Sequence, residues 1–335
     1  MDFRDLVNQV SRHGYCAMPS FFSKAEIEDV RTELAGFLDE DLHHRRVSNV
    51  EVVDEVRDGC VYSLNSHLHN MLFPAFKSKR MALLLERIIT NDAIARFLQE
   101  TIGENYRLRV DLVRRASGAD DSVDEFQIPH EWHRDSPGEF SFGIFLDDMR
   151  TPFSGGTAVI EGGTHFQPYD PIWDFMFGKR SYTTKANYLA DKAVWVEAGC
   201  RRFDILNQLA KRRLMKRTVE IRGDVGDVYF FLNDAWHGRA PNKTGKQFMT
   251  IRFSGFPTDF AFKDDLPAPA GLENLPPELR KRYSAGQPVN TKKDLLIHQD
   301  RNGKPDLFLK LAHWEKQQAI RCTERKFRKR VASAA

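Results

Sequence analysis

Pro129-His130-Glu131-Trp132-His133-Arg134-Asp135 is the stretch on which the reading of this chain turns. Pro129 and the flanking apolar residues favour an extended backbone, in which successive side chains point to opposite faces and residues two apart share one. His133 and Asp135 then converge on one point. An imidazole and a carboxylate so placed are two of the three ligands of a 2-His-1-carboxylate facial triad, which holds non-haem Fe(II) with three positions open. His-x-Asp also recurs on bare surface strands, so its meaning depends on whether distant parts of the chain supply a third ligand and a barrel to bring it close.

Working outward, the sequence on both sides is rich in short strands. Residues 107–115 alternate, with Leu108, Val110 and Leu112 expected on one face and Arg107, Arg109 and Asp111 on the other. Phe140 to Asp147 is a further strand, and Ser154 to His165 is a β-run between glycine pairs. Strands return at 219–222 and 227–232. Gln247 to Ser254 places Thr250, Arg252 and Ser254 on one face and Met249, Ile251 and Phe253 on the other. Many short strands with turn signals, preceded by helices, predict an all-β core with helices, that is, a double-sheet jelly roll (a double-stranded β-helix, cupin-like) within a single domain. The core is expected over about 105–256. Residues 166–217 are read as a lid inserted over one barrel mouth, and 257–335 as a C-terminal extension of loop and peripheral helix.

The N-terminal part reads as helical. Leu6, Val7 and Val10 have helical spacing, Tyr15 to Met18 form a short strand, and Ser23-Lys24-Ala25-Glu26 is a capping box opening a helix with Ile27, Val30 and Leu34 on one face. Residues 41–80, with His43-His44-Arg45-Arg46 and Ser66-His67-Leu68-His69, lack periodic context and read mostly as solvated loop, or in part as the lining of a pocket for an anion. Met81 to Leu98 reads as one helix closed by Gly103.

A chain of 335 residues, 41% hydrophobic and 29% charged, can bury a full core. The net charge of +3 gives no argument for nucleic acid. Four cysteines without a CxxC pair indicate neither a zinc ribbon nor a disulfide framework. The start Met1-Asp2-Phe3-Arg4-Asp5 lacks the basic and apolar run of an export signal, and no stretch approaches eighteen apolar residues, so a cytoplasmic location is expected.

In a jelly roll, residues distant in sequence meet inside the barrel, and His237, after a strand and before Gly238, becomes the candidate third ligand with His133 and Asp135. The chain resembles the phytanoyl-CoA dioxygenase family of Fe(II)- and 2-oxoglutarate-dependent oxygenases. The resemblance rests on His13-Gly14-Tyr15 to Pro19 with the Ser23 to Leu34 helix, Trp132 to Asp135, the Gly156 to His165 strand and turn, and Gly226-Asp227-Val228 leading to His237-Gly238 and Pro241-Asn242. It implies that His133, Asp135 and His237 carry Fe(II), that 2-oxoglutarate and O2 are co-substrates, and that a substrate C–H bond is hydroxylated. Halogenating relatives replace the carboxylate of the triad with a small residue, so Asp135 argues for hydroxylation.

The far carboxylate of 2-oxoglutarate needs a cation, for which a planar guanidinium is the best donor. Arg252 and Ser254 form an Arg-x-Ser pair of the kind related oxygenases place after the distal histidine, and Thr157 is assigned to the same co-substrate site. In phytanoyl-CoA dioxygenase itself the arginine follows the histidine more closely, where this chain has Phe248, so Arg239 and Lys246 stand as alternatives to Arg252.

Two other readings compete. A zinc metallohydrolase would use His130, Glu131 and His133, but zincin histidines lie four apart on a helix, and these are three apart after a proline. A non-catalytic jelly-roll binding protein is the second. The substrate is expected to be a small or lipid-linked molecule, with an acidic sugar such as Kdo of lipopolysaccharide favoured over a natural product, compatible solute or acyl-CoA. That preference follows from basic runs at 43–46, 211–217 and 325–330, which are either solvated faces or contacts for an anionic substrate or an anionic membrane surface.

Overall fold

The fold is that of a computed structural model describing residues 2–49, 54–65, 68–102, 106–116, 139–161, 217–233, 235, 237–240, 242–257, 262–263, 271–283 and 287–288. Helix α1 (Phe3–His13) ends at Gly14, whose φ of 80° lets the chain turn directly into β1 (Tyr15–Met18). Helix α2 (Lys24–Ser48) opens on the expected capping box: the Glu26 amide donates to Ser23 Oγ at 3.3 Å and the Ser23 amide to Glu26 Oε2 at 2.8 Å. Its buried face runs Ile27, Val30, Leu34 and Leu38.

The same face continues through Asp41 and Arg45, both buried, so the helix reaches far beyond its apolar stripe. Residues 41–80 therefore correct the loop reading. After α2 come three antiparallel strands, β2 (Asp54–Arg57), β3 (Cys60–Asn65) and β4 (Leu68–Leu72). Asp58 and Gly59, both at positive φ, make the tight turn between the first two. The Met81 to Leu98 periodicity is likewise two helices, α3 (Lys79–Ile89) and α4 (Asp92–Thr101). Asn91 breaks it by capping the second, accepting from the amides of Ala93 and Ile94. Gly103 lies outside the described residues.

The barrel strands are β5 (Tyr106–Ala116), β6 (Phe140–Phe145), β7 (Thr157–Ile160), β8 (Thr218–Glu220), β9 (Val228–Leu232), β10 (His237–Arg239) and β11 (Phe248–Pro257). They form an eight-stranded antiparallel sheet ordered β1-β9-β6-β11-β5-β4-β3-β2 and a three-stranded sheet ordered β10-β7-β8, the two layers of the jelly roll. On the large sheet Phe140, Phe142, Ile144, Phe230, Met249, Ile251 and Phe253 pack against the helices. The opposite face carries Phe145, Tyr229, Phe231 and Phe248, which pack with Val159 and Ile221 between the sheets.

One strand departs from simple alternation. Pairing of β11 with β5 runs from Ile251↔Val113 to Ser254↔Val110 and then jumps to Gly255↔Leu108, an extra residue in β5 at Arg109. A bulge exchanges the faces beyond it. Leu108 and Val113 accordingly share the helix-side core, and Leu112 belongs to the face of Arg252, against the expectation that Leu108, Val110 and Leu112 lie together.

Beyond β11, α5 (Pro277–Arg282) and the turn before it place Leu275 and Leu279 in the main core, so this part of the extension is more than peripheral. The proposed lid (166–217) is described only at Arg217, and residues 289–335 of the extension, with the basic run at 325–330, lie outside the described residues. Among the described residues no helix is long and apolar enough to cross a membrane.

Helix α2 is fastened to the sheet by charge. Asp41, fully buried, accepts from Arg45 Nε at 2.9 Å, from His69 Nε2 at 2.7 Å and from Arg57. Arg115 donates to His69 Nδ1 at 3.3 Å; as arginine only donates, His69 is the neutral tautomer with its proton on Nε2. Burial lowers the His69 pKa below its ordinary 6.5, opposed by its bond to Asp41. Burial raises that of Asp41, but the bonds from His69 and Arg45 outweigh it and the net shift is downward.

Asp41→Ala should cost about 3–5 kcal/mol in urea denaturation, because it leaves buried cations unpaired. A depressed folded pKa means that the His69 contribution is present above about pH 6.5 and is lost as pH falls below it. Melting temperature should therefore drop between pH 7.5 and 5.5 in the wild type and drop less in His69→Gln, which keeps a donor to Asp41 and cannot be charged. Equal slopes would show that His69 is not held neutral.

Candidate active site

The inner face of the large sheet and the three-stranded sheet enclose a cavity of about 100 Å³, where one water needs about 10–15 Å³. Pairing sets its walls in rows. Tyr229, Gly143, Arg252 and Leu112 align across β9, β6, β11 and β5; the next row is Phe145, Thr250, Arg114 and Asn70; Phe248 and Ala116 follow. In the other direction lie Phe231, Ser141 and Ser254.

His237 opens β10, which pairs with β7 as His237↔Val159 and Arg239↔Thr157. The residue is 1% exposed, and its ring lies against Phe231 at 5.2 Å between centroids. Nδ1 stands 3.0 Å from the Ala235 carbonyl oxygen. A carbonyl can only accept, so Nδ1 carries a proton, and a metal held by this ring would be bound through Nε2 while the backbone carbonyl fixes the other nitrogen. His133 and Asp135 lie outside the described residues, as do His130, Glu131 and Arg134. Among the described residues no three His, Cys, Asp or Glu side chains gather into a metal site.

Arg252 lies on the predicted face. Its Nε donates to Ser141 Oγ at 3.1 Å, Ser141 and Ser254 hydroxyls are 2.9 Å apart, and its guanidinium covers the Phe231 ring at 4.9 Å. Ser254 thus acts on Arg252 through Ser141. Of the alternatives, Arg239 also lines the cavity, with Nε donating to the Gly155 carbonyl at 2.9 Å. Lys246 is exposed in the turn before β11. Thr157 lines the cavity with its hydroxyl 3.3 Å from that of Tyr229.

Sequence reasoning missed three site residues. Arg114 lines the cavity, donating from Nε to Asn70 Oδ1 at 3.3 Å; the bulge at Arg109 hid its face. Tyr229 lies across Gly143 so closely that a Cβ there would be 2.0 Å from the ring. Glu220 on β8 accepts from the amides of Phe153 at 2.7 Å and of Ser154 and Gly156 at 3.0 Å, shaping the glycine turn that forms one wall. Burial raises the Glu220 pKa and the three amides oppose it. Nothing local marks any of them, since each depends on cross-strand register.

The phytanoyl-CoA dioxygenase (PhyH) family model matches residues 10–249. The chain belongs to the phytanoyl-CoA dioxygenase family. Enzymes of this family use Fe(II), 2-oxoglutarate and O2, and the chain is an enzyme of that oxygenase type. Similar solved structures include the non-haem α-ketoglutarate-dependent carbocyclase SnoK from nogalamycin biosynthesis, at 15% identity and TM-score 0.49, covering 86% of this chain and 93% of that one. HygX from Streptomyces hygroscopicus with nickel and 2-oxoglutarate bound matches at 14% identity and TM-score 0.43, covering 77% and 88%. EctD from S. alaskensis with bound Fe matches at 14% and 0.47, covering 77% and 78%. No curated protein matches the chain.

The Gly143 contact is testable. Gly143→Ala should destabilise the fold by about 1–3 kcal/mol through overpacking against Tyr229. In a Tyr229→Leu background the same change should cost far less, a coupling read by a double-mutant cycle in denaturant. Additive costs would place the tyrosine elsewhere.

Proposed function

We propose that this phytanoyl-CoA dioxygenase family member hydroxylates a C–H bond of a small molecule, with His133, Asp135 and His237 as iron ligands and Arg252 as the anchor for the far carboxylate of 2-oxoglutarate. The single observation that supports it best is the pairing, in one cavity, of a buried histidine whose Nδ1–H is fixed on a carbonyl with a guanidinium fixed on a serine pair. Each group is held by a bond to the protein itself, which supports a preorganised site. Bound Fe(II) and 2-oxoglutarate would supply the electrons that activate O2 for attack on the substrate. The protein's part is to fix the His237 tautomer, to orient the co-substrate through Arg252, and to exclude water with Phe145, Phe231, Phe248 and Tyr229.

Hydroxylation is preferred because Asp135 provides the carboxylate ligand. An acidic sugar and a membrane-bound substrate are not favoured. Those rested on basic runs, and Arg45, in the run at 43–46, is committed to Asp41 and to the Tyr62 carbonyl inside the fold; residues 211–216 and 325–330 lie outside the described residues.

Incubation of the iron-loaded protein with fractionated extract, ascorbate and 2-oxoglutarate should give succinate and a product one oxygen atom heavier than its substrate. A product two hydrogens lighter would indicate ring closure or desaturation, an unchanged mass epimerisation, and no succinate a binding protein. Asp135→Ala and His237→Ala should each lower succinate formation by at least about 100-fold while remaining folded by circular dichroism; full activity in either would remove that residue from the iron site.

A further inference from the structure

Arg114 and Arg252 occupy neighbouring strands in a diagonal relation, since Arg114 pairs with Thr250 and Arg252 lies two residues along. Such positions are about 7–8 Å apart at Cα, within reach of each other for long side chains. Both side chains line the cavity and both are half-buried. Among the described residues no carboxylate pairs with either; the polar partners are Asn70 for Arg114 and Ser141 for Arg252.

Each bond uses Nε, and among the described residues no hydrogen bond engages the two terminal amines of either guanidinium, which can serve a ligand. Burial, with the charge of Arg252 adding to it, lowers the Arg114 pKa to about 10, so it is still a cation at neutral pH. Two cations held side by side in a partly desolvated wall repel each other, and an anion seated between them cancels that repulsion.

Position along the cavity selects the anion. His237 sits by Phe231, in the row of Ser141 and Ser254; Arg252 is one row further in and Arg114 one row beyond that, before Phe248 and Ala116 close the floor with apolar surface. A ligand that reaches Arg114 with one end and the histidine end of the cavity with the other must be elongated, with an anionic group at its inner end. A keto acid with a second carboxylate at the far end of a short chain has that form.

We propose that Arg114 and Arg252 together clamp the far carboxylate of 2-oxoglutarate, with Asn70 as the residue that positions Arg114. This rests on the co-substrate reading above and adds to it a second arginine from β5, which carries charge on the strand beside the one where Phe248 stands in place of the family's arginine.

The test is calorimetric, on protein loaded with Mn(II) so that no turnover is needed. Wild-type protein should bind 2-oxoglutarate more tightly than 2-oxobutyrate, which has the same keto-acid head and no far carboxylate. Arg114→Gln and Arg252→Gln should each narrow that preference by about 10- to 100-fold, Arg114→Lys should recover part of it, and Asn70→Ala should narrow it several-fold without removing either charge. If Arg114→Gln fails to fold, Asn70→Ala and Arg114→Lys carry the measurement. Loss of preference in Arg252→Gln alone, with the Arg114 and Asn70 variants unchanged, would overturn the clamp and leave the co-substrate reading standing. Binding of neither keto acid by the wild type would overturn both.

Discussion

Strands β6 and β9 are buried at every residue, so the middle of the large sheet has no solvent face, and the architecture depends on that constraint. One face must be apolar to hold the helices, and it is, through interlocked rings such as Phe97, Phe142 and Phe230. The other face is then the only wall on which polar groups can be placed in a water-poor space. Alternation along the neighbouring β11 therefore does two things at once: Met249, Ile251 and Phe253 anchor the strand, and Thr250, Arg252 and Ser254 are turned inward between the sheets. A strand fixed on one face by close packing cannot slip by a residue without exchanging core and site.

Around that frame, charge is handled in two ways. On the helix side, Asp41 gathers Arg45, Arg57 and His69, with Arg115 behind, and fastens α2 to β2, β4 and β5. On the cavity side, cations are tethered to neutral partners, Asn70 and Ser141, among the described residues. Adjacent residues of β4, His69 and Asn70, serve one system each, through Arg115 and Arg114 on the next strand. The contrast is chemically sensible: a structural cluster is stable when its charges cancel internally, and a binding wall keeps its charge for the ligand.

How much of this was legible in the sequence follows the same division. The inward face of β11 could be read from alternation, because its apolar and polar residues separate cleanly. The capping box of α2 and the strands at β6, β7 and β9 were visible for equally local reasons. What escaped depended on partners. The final turns of α2 turn Asp41 and Arg45 inward, so apolar periodicity stops before the helix does. The bulge at Arg109 reverses the faces of β5, and with it the identity of Arg114 as a cavity residue. The split at Asn91 is a cap inside a continuous apolar pattern. His237 stands out in the sequence as a histidine between a strand and a glycine, whereas the bond from its Nδ1 to the Ala235 carbonyl is visible only in three dimensions.

The most direct test of the central claim is an anaerobic titration of the purified protein with Fe(II) and 2-oxoglutarate, followed in the visible range. A metal-to-ligand charge-transfer band that saturates at one equivalent of each, and is absent from His237→Ala, is the predicted result. No band in the wild type at saturating concentrations of both would contradict an iron site on which the keto acid chelates beside His237.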